Sequence, residues 1–250
     1  MGASQSVLAH FLLIYTPEVN LQRAGSVTFK LIFWHPMANG QVMALTQPKA
    51  FYYLHKGKRV DLLPALSPIE FTGVANSAPA FEASATFNRV GDYVLVFHQA
   101  PFYEASENKF IEQIAKAYVN HAGVPGNWAQ ALGLATEIVP LTKPTNALAG
   151  STFTGQVLAE GKPVPHADIE VEYLAAEPDM DTNRPKPATV VPPPGGALVI
   201  KSDANGYFTF GIPRAGFWGF AALGTGPATV YEGKALSQDA VLWIRAYELK

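Results

Sequence analysis

The sequence predicts a mainly β protein, built as two β-sandwich domains with one helical insertion in the first. Three observations carry that reading. Twenty-one glycines and 20 prolines are many for a helical chain and natural for a turn-rich β protein. Val27, Phe29, Leu31 and Phe33 alternate with Thr28 and Lys30, which marks a half-buried strand. The stretches Gly161 to Tyr173 and Lys201 to Trp218 each read as a strand with a turn beside it.

His10 to Tyr15 reads as the first strand, and Leu21 to Gly25 as a turn. In the second strand Ile32 and Trp34 sit on the face opposite Phe33, so both faces are expected to be covered; Pro36 and Asn39-Gly40 end it. Phe51 to His55 and Val60 to Leu62 flank Lys56-Gly57-Lys58, a hairpin. Phe81 to Phe87 and Asp92 to Phe97 flank Asn88-Arg89-Val90-Gly91 and predict another. A helix is predicted from Ser106 to about His121, because Ile111, Ile114, Ala115 and Tyr118 recur at helical spacing and Gly123 and Pro125 follow. Thr136 to Val139 is a short strand. A boundary near Asn146 to Gly150 divides an N-terminal sandwich, residues 1–147 with the helix near 106–121, from a C-terminal one, residues 148–250. Ser151 to Leu158, Asp168 to Leu174, Ala197 to Lys201, Tyr207 to Gly211, Phe217 to Leu223 and Ala240 to Tyr247 are its strands, and the Pro-rich stretch Pro178 to Gly196 is an exposed loop.

Composition narrows the function classes. With 48% hydrophobic and 15% charged residues, 250 residues hold a real core and do not read as disordered. A net charge of −2 gives a nucleic-acid partner no electrostatic basis. The absence of cysteine removes disulfides, thiolate metal sites and cysteine nucleophiles together. No apolar run approaches the roughly 20 residues of a membrane helix, so no membrane insertion is expected. Met1 to Val7 reads as a short leader standing where a signal peptide was removed.

No Gly-x-Ser-x-Gly, dinucleotide fingerprint or P-loop occurs, and no acidic pair sits in a hydrolase context, so a non-enzyme is expected. Asp203-Ala204-Asn205-Gly206 begins like a calcium loop, but Arg214 stands where the closing glutamate belongs, and the tetrapeptide reads as a turn. Phe217, Trp218, Phe220 and Trp243 read as packing residues. Met37 and Met43 are read as packing residues rather than soft ligands. His10 and His35 stand at the start of the first strand and the end of the second, where both imidazoles can converge. Neutral imidazole suits nickel, cobalt, copper or zinc, and His98, Tyr103 and Glu104, which follow a later strand, are candidate further ligands. His121, at the end of the predicted helix, reads as structural.

The chain also resembles a known family. The segments that carry the likeness are Ala9-His10-Phe11, Val27 to Pro36 with its terminal His-Pro, Gly91-Asp92-Tyr93, Pro101-Phe102-Tyr103-Glu104 and Gly161-Lys162-Pro163-Val164. Asn205-Gly206-Tyr207-Phe208-Thr209, Gly216-Phe217-Trp218-Gly219-Phe220 and Leu236 to Trp243 complete it. They resemble the bacterial periplasmic NikK-like family, a domain of unknown function described as a nickel/cobalt transport accessory protein. The last third resembles a carboxypeptidase-regulatory-like module of transthyretin type, and Val90 to Leu95 resembles a late strand of an immunoglobulin-like sandwich. The resemblance implies export to the periplasm and support of Ni²⁺ or Co²⁺ uptake, another divalent transition metal being the alternative cargo. It implies an inner-membrane metal permease as partner, His10 and His35 as ligands, and Glu104 after them; His98 and Tyr103 stay lower-ranked candidates from the reading above. The alternative is a non-enzymatic β-sandwich adaptor that docks on a transporter or cell-surface partner through its aromatic face and Pro-rich loop. Metal affinity is expected to fall below about pH 6, where histidines protonate.

Overall fold

The run around Val27 to Phe33 forms a ten-residue strand in the structure, a computed structural model that describes residues 10–194 and 196–249. The main strands are, in chain order, β1 (Phe11–Tyr15), β2 (Gly25–Trp34), β3 (Ala50–His55), β4 (Lys58–Asp61), β5 (Ser67–Thr72), β6 (Ser77–Phe87), β7 (Gly91–His98) and β8 (Lys109–His121). They continue as β9 (Thr136–Pro140), β10 (Thr152–Ala159), β11 (Asp168–Tyr173), β12 (Leu198–Lys201), β13 (Tyr207–Gly211), β14 (Gly216–Ala222) and β15 (Lys234–Tyr247). The proposed leader Met1 to Val7 lies outside the described residues, as does Ala9.

The strands form three sheets. The first runs β1-β2-β6-β5, with Val42–Met43 also paired to β2. The central sheet runs β12-β11-β14-β15-β8-β7-β3-β4. The third joins β9, β10 and β13. Alternation along the central strands sends neighbouring side chains to opposite faces. Leu95, Val119, Val241 and Trp243 pack with the first sheet. Val94, Tyr118, Leu242 and Ile244 pack with Ile138, Phe153 and Val157 of the third. Farther along the second face, Leu132, Leu134 and Ala135 of the loop after β8 cover Tyr52, Val96 and Ile114.

This burial on both faces overturns the helix predicted at 106–121. No α-helix occurs among the described residues, and Lys109–His121 is a thirteen-residue strand. Ile111 and Ala115 face the first sheet while Ile114 and Tyr118 face the other way. Two period-2 sets, overlaid, imitate the spacing of one helical face. The polar residues between them are buried and partnered: Lys116 binds Glu137, and Asn120 binds Asp92. Local preference for helix yields to this tertiary setting.

Two further expectations change. The segment Asn88-Arg89-Val90 is not a hairpin, because β6 lies in the first sheet and β7 in the central one; the chain crosses between layers there. The central sheet also crosses the predicted boundary near residue 147. β8 pairs in parallel with β15, Phe110 opposite Leu236 through Lys116 opposite Leu242, and β9 pairs with β10. Two separate sandwiches find no support in this pairing. The hairpin at Lys56-Gly57 is present, both residues having positive φ (48° and 75°), as a two-residue primed turn requires. At the Asp203 turn the side-chain carboxylate accepts the Asn205 and Tyr207 N–H groups at 2.8 and 2.9 Å.

Among the described residues no helix is long and apolar enough to cross a membrane. The predicted packing aromatics are buried on both faces of the central sheet: Phe217 and Trp243 toward the first sheet, Trp218 and Phe220 toward the third. The Pro-rich loop is exposed at its tip, where Val191 is 90% accessible. Its first half is tied to the first sheet, since Thr72 N–H donates to the Asn183 carbonyl and buried Lys30 contacts Asn183 and Glu82.

Candidate metal centre

β1 and β2 are antiparallel with Phe11 opposite Trp34. Continuing that register by one residue puts His10 opposite His35, and their rings lie 4.5 Å apart between centroids. Glu104 arrives from another layer. It ends the short strand Phe102–Glu104, which pairs with the start of β8. Its Oε2 lies 3.0 Å from Nε2 of His10. Phe33 and Phe102 pack beside the His10 ring, at 5.4 and 6.2 Å between centroids. The structure thus brings His10, His35 and Glu104 to one place.

The position of His10 is set by the central sheet. β1 is an edge strand, and its outward backbone groups need partners. Gln113 of β8 supplies two of them: its Oε1 accepts the Leu12 N–H at 2.7 Å and its Nε2 donates to the His10 carbonyl at 2.6 Å. Trp243 Nε1 donates to the Leu12 carbonyl at 2.9 Å. Gln113 is a positioning residue that sequence reading missed, because a residue on a supposed helix gave no sign of facing β1.

Electrostatics keep the ring of His10 uncharged. Burial first, then the neighbouring His35, push it down to about 4, against the opposing pull of Glu104. At neutral pH it is therefore a lone-pair donor. Burial works against the charge of Glu104, but hydrogen bonds from Ser106 and His10 hold its carboxyl below the usual range. Ser106, where the predicted helix was to begin, instead donates its N–H and hydroxyl to Glu104 at 2.9 and 2.5 Å. The cluster offers two imidazoles and a carboxylate, a donor set suited to a borderline divalent metal. No group of three or more His, Cys, Asp or Glu among the described residues already has the spacing of a metal site. Glu104 and His10 hydrogen-bond to each other instead.

His98 and Tyr103 do not join the cluster, and strand parity explains both. Tyr103 alternates with Phe102 and Glu104, so it leaves on the other face, where its hydroxyl meets Asn108 at 2.7 Å and Lys234 at 2.8 Å. His98 shares the face of Val96, away from the first sheet, and its Nε2 lies 2.9 Å from Glu112. Burial opposes the charge of Glu112, yet hydrogen bonds from His98, Lys49 and Gln238 hold its carboxyl down at about 2. His121 ends a strand rather than a helix and is buried. Met37 and Met43 are buried in the core.

Buried acids lie behind the turn that follows His35. Glu172 Oε2 accepts the Met37 N–H at 2.8 Å. Burial, reinforced by the Glu170 charge, pushes its carboxyl up to about 8. Burial and then Asp239 push Glu170 up to about 7. The ordinary value for a glutamate is 4.5, so between 4.5 and 8 the folded chain holds a proton on Glu172 that the unfolded chain has lost. Stability contributed by this group falls as pH rises through that window. The Glu172→Gln variant, neutral throughout, is expected to match the parent near the lower limit. Above the upper limit it should be more stable by up to about 5 kcal/mol. Thermal melts across the window check this; a difference independent of pH would contradict it.

Comparison with known proteins gives a family and little else. No curated protein sequence matches the chain. Solved structures resemble it only loosely. The Yersinia pseudotuberculosis adhesin InvE is 15% identical with a TM-score of 0.25, covering 96% of this chain and 61% of that one. The chain therefore spans under two thirds of the adhesin's length. The fibronectin(III)-like modules of Clostridium thermocellum CbhA are 10% identical at TM-score 0.21, covering 94% of this chain and 95% of that one. Scores this low carry no functional argument. Residues 7–226, most of the chain and all of the cluster just described, match the domain of unknown function DUF4198, and the protein belongs to that family.

Proposed function

We propose that this chain is a non-enzymatic, periplasmic transition-metal binding protein that takes Ni²⁺ or Co²⁺ as cargo and supports its uptake. The observation that carries the reading is the meeting of His10, His35 and Glu104 from three separate segments, with His10 held uncharged. Metal entry would replace the hydrogen bond between His10 and Glu104 by two bonds to the ion, the single ring proton of neutral His10 moving from Nε2 to Nδ1 so that Nε2 offers its lone pair. The NikK-like resemblance supplies the choice of metal, the compartment and the inner-membrane permease as receiver. The likeness of residues 148–250 to a carboxypeptidase-regulatory-like module belongs to the same reading.

Calorimetric titration of the metal-stripped protein with Ni²⁺, Co²⁺, Cu²⁺ and Zn²⁺ tests it. Micromolar or tighter binding is expected, weakened by about 100-fold in His35→Ala and in His10→Ala. Circular dichroism shows whether the variants keep their strands. Unchanged affinity in both variants would place the metal elsewhere. A folded protein that binds none of the four ions yet retains a membrane partner would favour the adaptor. That reading has lost its aromatic docking face, since Phe217, Trp218, Phe220 and Trp243 are buried.

A further inference from the structure

A cavity of about 350 Å³ opens at the far end of the molecule, where the crossover from β6 to β7 leaves the first sheet and the β3–β4 hairpin turns. Tyr53, His55, Lys56, Lys58, Arg89 and Tyr93 line it, and no carboxylate does. Among the described residues none of Lys56, Lys58 and Arg89 has an acidic partner within ion-pair distance. The carboxylate of nearby Asp92 is turned away, toward Asn120, Gly126 and Lys143. Three unneutralised cations thus converge on one hollow in a chain whose net charge is −2.

The floor of the hollow carries a second, independent sign. His55 is 8% exposed and stacks on Tyr93, ring centroids 4.0 Å apart. Its Nδ1 lies 3.0 Å from the carbonyl oxygen of Asp92, which can only accept, so Nδ1 carries the hydrogen. In the neutral ring Nε2 is then an acceptor, and it is buried with no partner among the described residues. A buried polar atom without a partner is uncommon and points to a missing group. Gly91, whose φ is 117°, lies beside the His55 ring: a Cβ there would fall 3.5 Å from its Cε1. Tyr93 is not available, because its hydroxyl is spent on the Arg89 backbone at 2.8 and 3.0 Å.

We infer that this cavity binds a phosphate-type oxyanion that carries its own hydrogen-bond donor: the cations hold the anion and His55 Nε2 accepts the donor. Hydrogen phosphate has the donor in its P–OH, and a sugar phosphate has it in a hydroxyl, for which the cavity has room. Sulfate matches the charge of hydrogen phosphate but has no hydrogen to give. The site lies apart from the metal centre. His10 is held by Gln113, while His55 sits beside Gly91, which pairs with His121. Eight residues of β8 separate those anchors, roughly 27 Å of extended strand.

The test is calorimetry or NMR titration of the whole chain at about pH 8, where an ordinary histidine is neutral and phosphate is a dianion with one P–OH. Phosphate is expected to bind about tenfold more tightly than sulfate. His55→Phe, which keeps the ring stack, should bring phosphate down to the sulfate level. The Lys58→Gln/Arg89→Gln double variant, both changes on exposed residues, should weaken both anions by about tenfold or more. A hexose phosphate tighter than inorganic phosphate assigns the sugar phosphate as the ligand, and the reverse assigns the free anion. No saturable phosphate binding at millimolar concentration, or equal affinity for phosphate in parent and double variant, overturns the inference. So does equal binding of phosphate and sulfate by the parent.

Discussion

The Glu137→Gln variant is expected to lose about 3–5 kcal/mol of stability, the cost of leaving a buried charge unpaired. Lys116 and Glu137 are each about 1% exposed, and Lys116 Nζ meets Glu137 Oε2 at 2.7 Å. Burial pushes the Lys116 ammonium down and Glu137 opposes that. The other oxygen of Glu137 accepts the Leu132 and Gly133 N–H groups, both at 2.8 Å. Glutamine can keep that second role while removing both the charge and the acceptor that faces Lys116 Nζ, so the loss reports the pair. Adding Lys116→Met should recover much of it, since a buried ion pair often gains little over apolar residues of similar volume. Urea unfolding of both variants decides. A loss below about 1 kcal/mol in the single variant would mean that Lys116 is neutral in the folded chain.

Trp243→Ala is expected to cost about as much, roughly 3–5 kcal/mol. The indole is 3% exposed and meets Phe11 edge-on at 5.8 Å between centroids. Gly219 is matched to it: a Cβ there would fall 2.8 Å from the indole Cη2. The space was shaped around the ring, and strand backbones collapse poorly into a void. Truncation also removes the N–H that caps the Leu12 carbonyl on the outer edge of β1. Because β1 leads directly from His10, metal affinity should weaken along with stability. Trp243→Phe separates the two effects, restoring most of the volume without the hydrogen bond. Its stability should lie between those of the parent and Trp243→Ala; a Phe variant as unstable as Ala would assign the whole cost to the lost bond.

The strands of the last third were legible to within a residue at each end, except that the last begins at Lys234, six residues before the predicted Ala240. Tyr207 to Gly211 agrees with the structure, and Asp168 to Leu174 differs by one residue. Their punctuation is local: Asp203 and Gly206 make a turn whose bonds close within four residues. β8 was not legible. Its apolar residues serve two cores at once, and a linear pattern cannot separate two overlaid periods of 2 from one of 3.6. The same error hid Gln113, whose bonds span more than a hundred residues to Leu12 and His10. β5 was overlooked for a simpler reason. Five of its six residues, Ser67, Pro68, Ile69, Glu70 and Thr72, are exposed or half-buried, which leaves little apolar pattern to read.

For the candidate sites the division follows strand geometry. The sequence by itself determined that the chain is mainly β, that any metal site in it would be without thiolate ligands, and where β1 and β2 lie. Their register alone then sets His10 against His35. Only the tertiary structure decided that Glu104 joins them while Tyr103, one residue away, does not. Only it turned His98 to the far face, and gathered Lys56, Lys58 and Arg89 around the unpartnered nitrogen of His55. The physical reason is the same in each case. A strand sends successive side chains to opposite faces, and what waits on each face is set by strands distant in the chain, which no local pattern records.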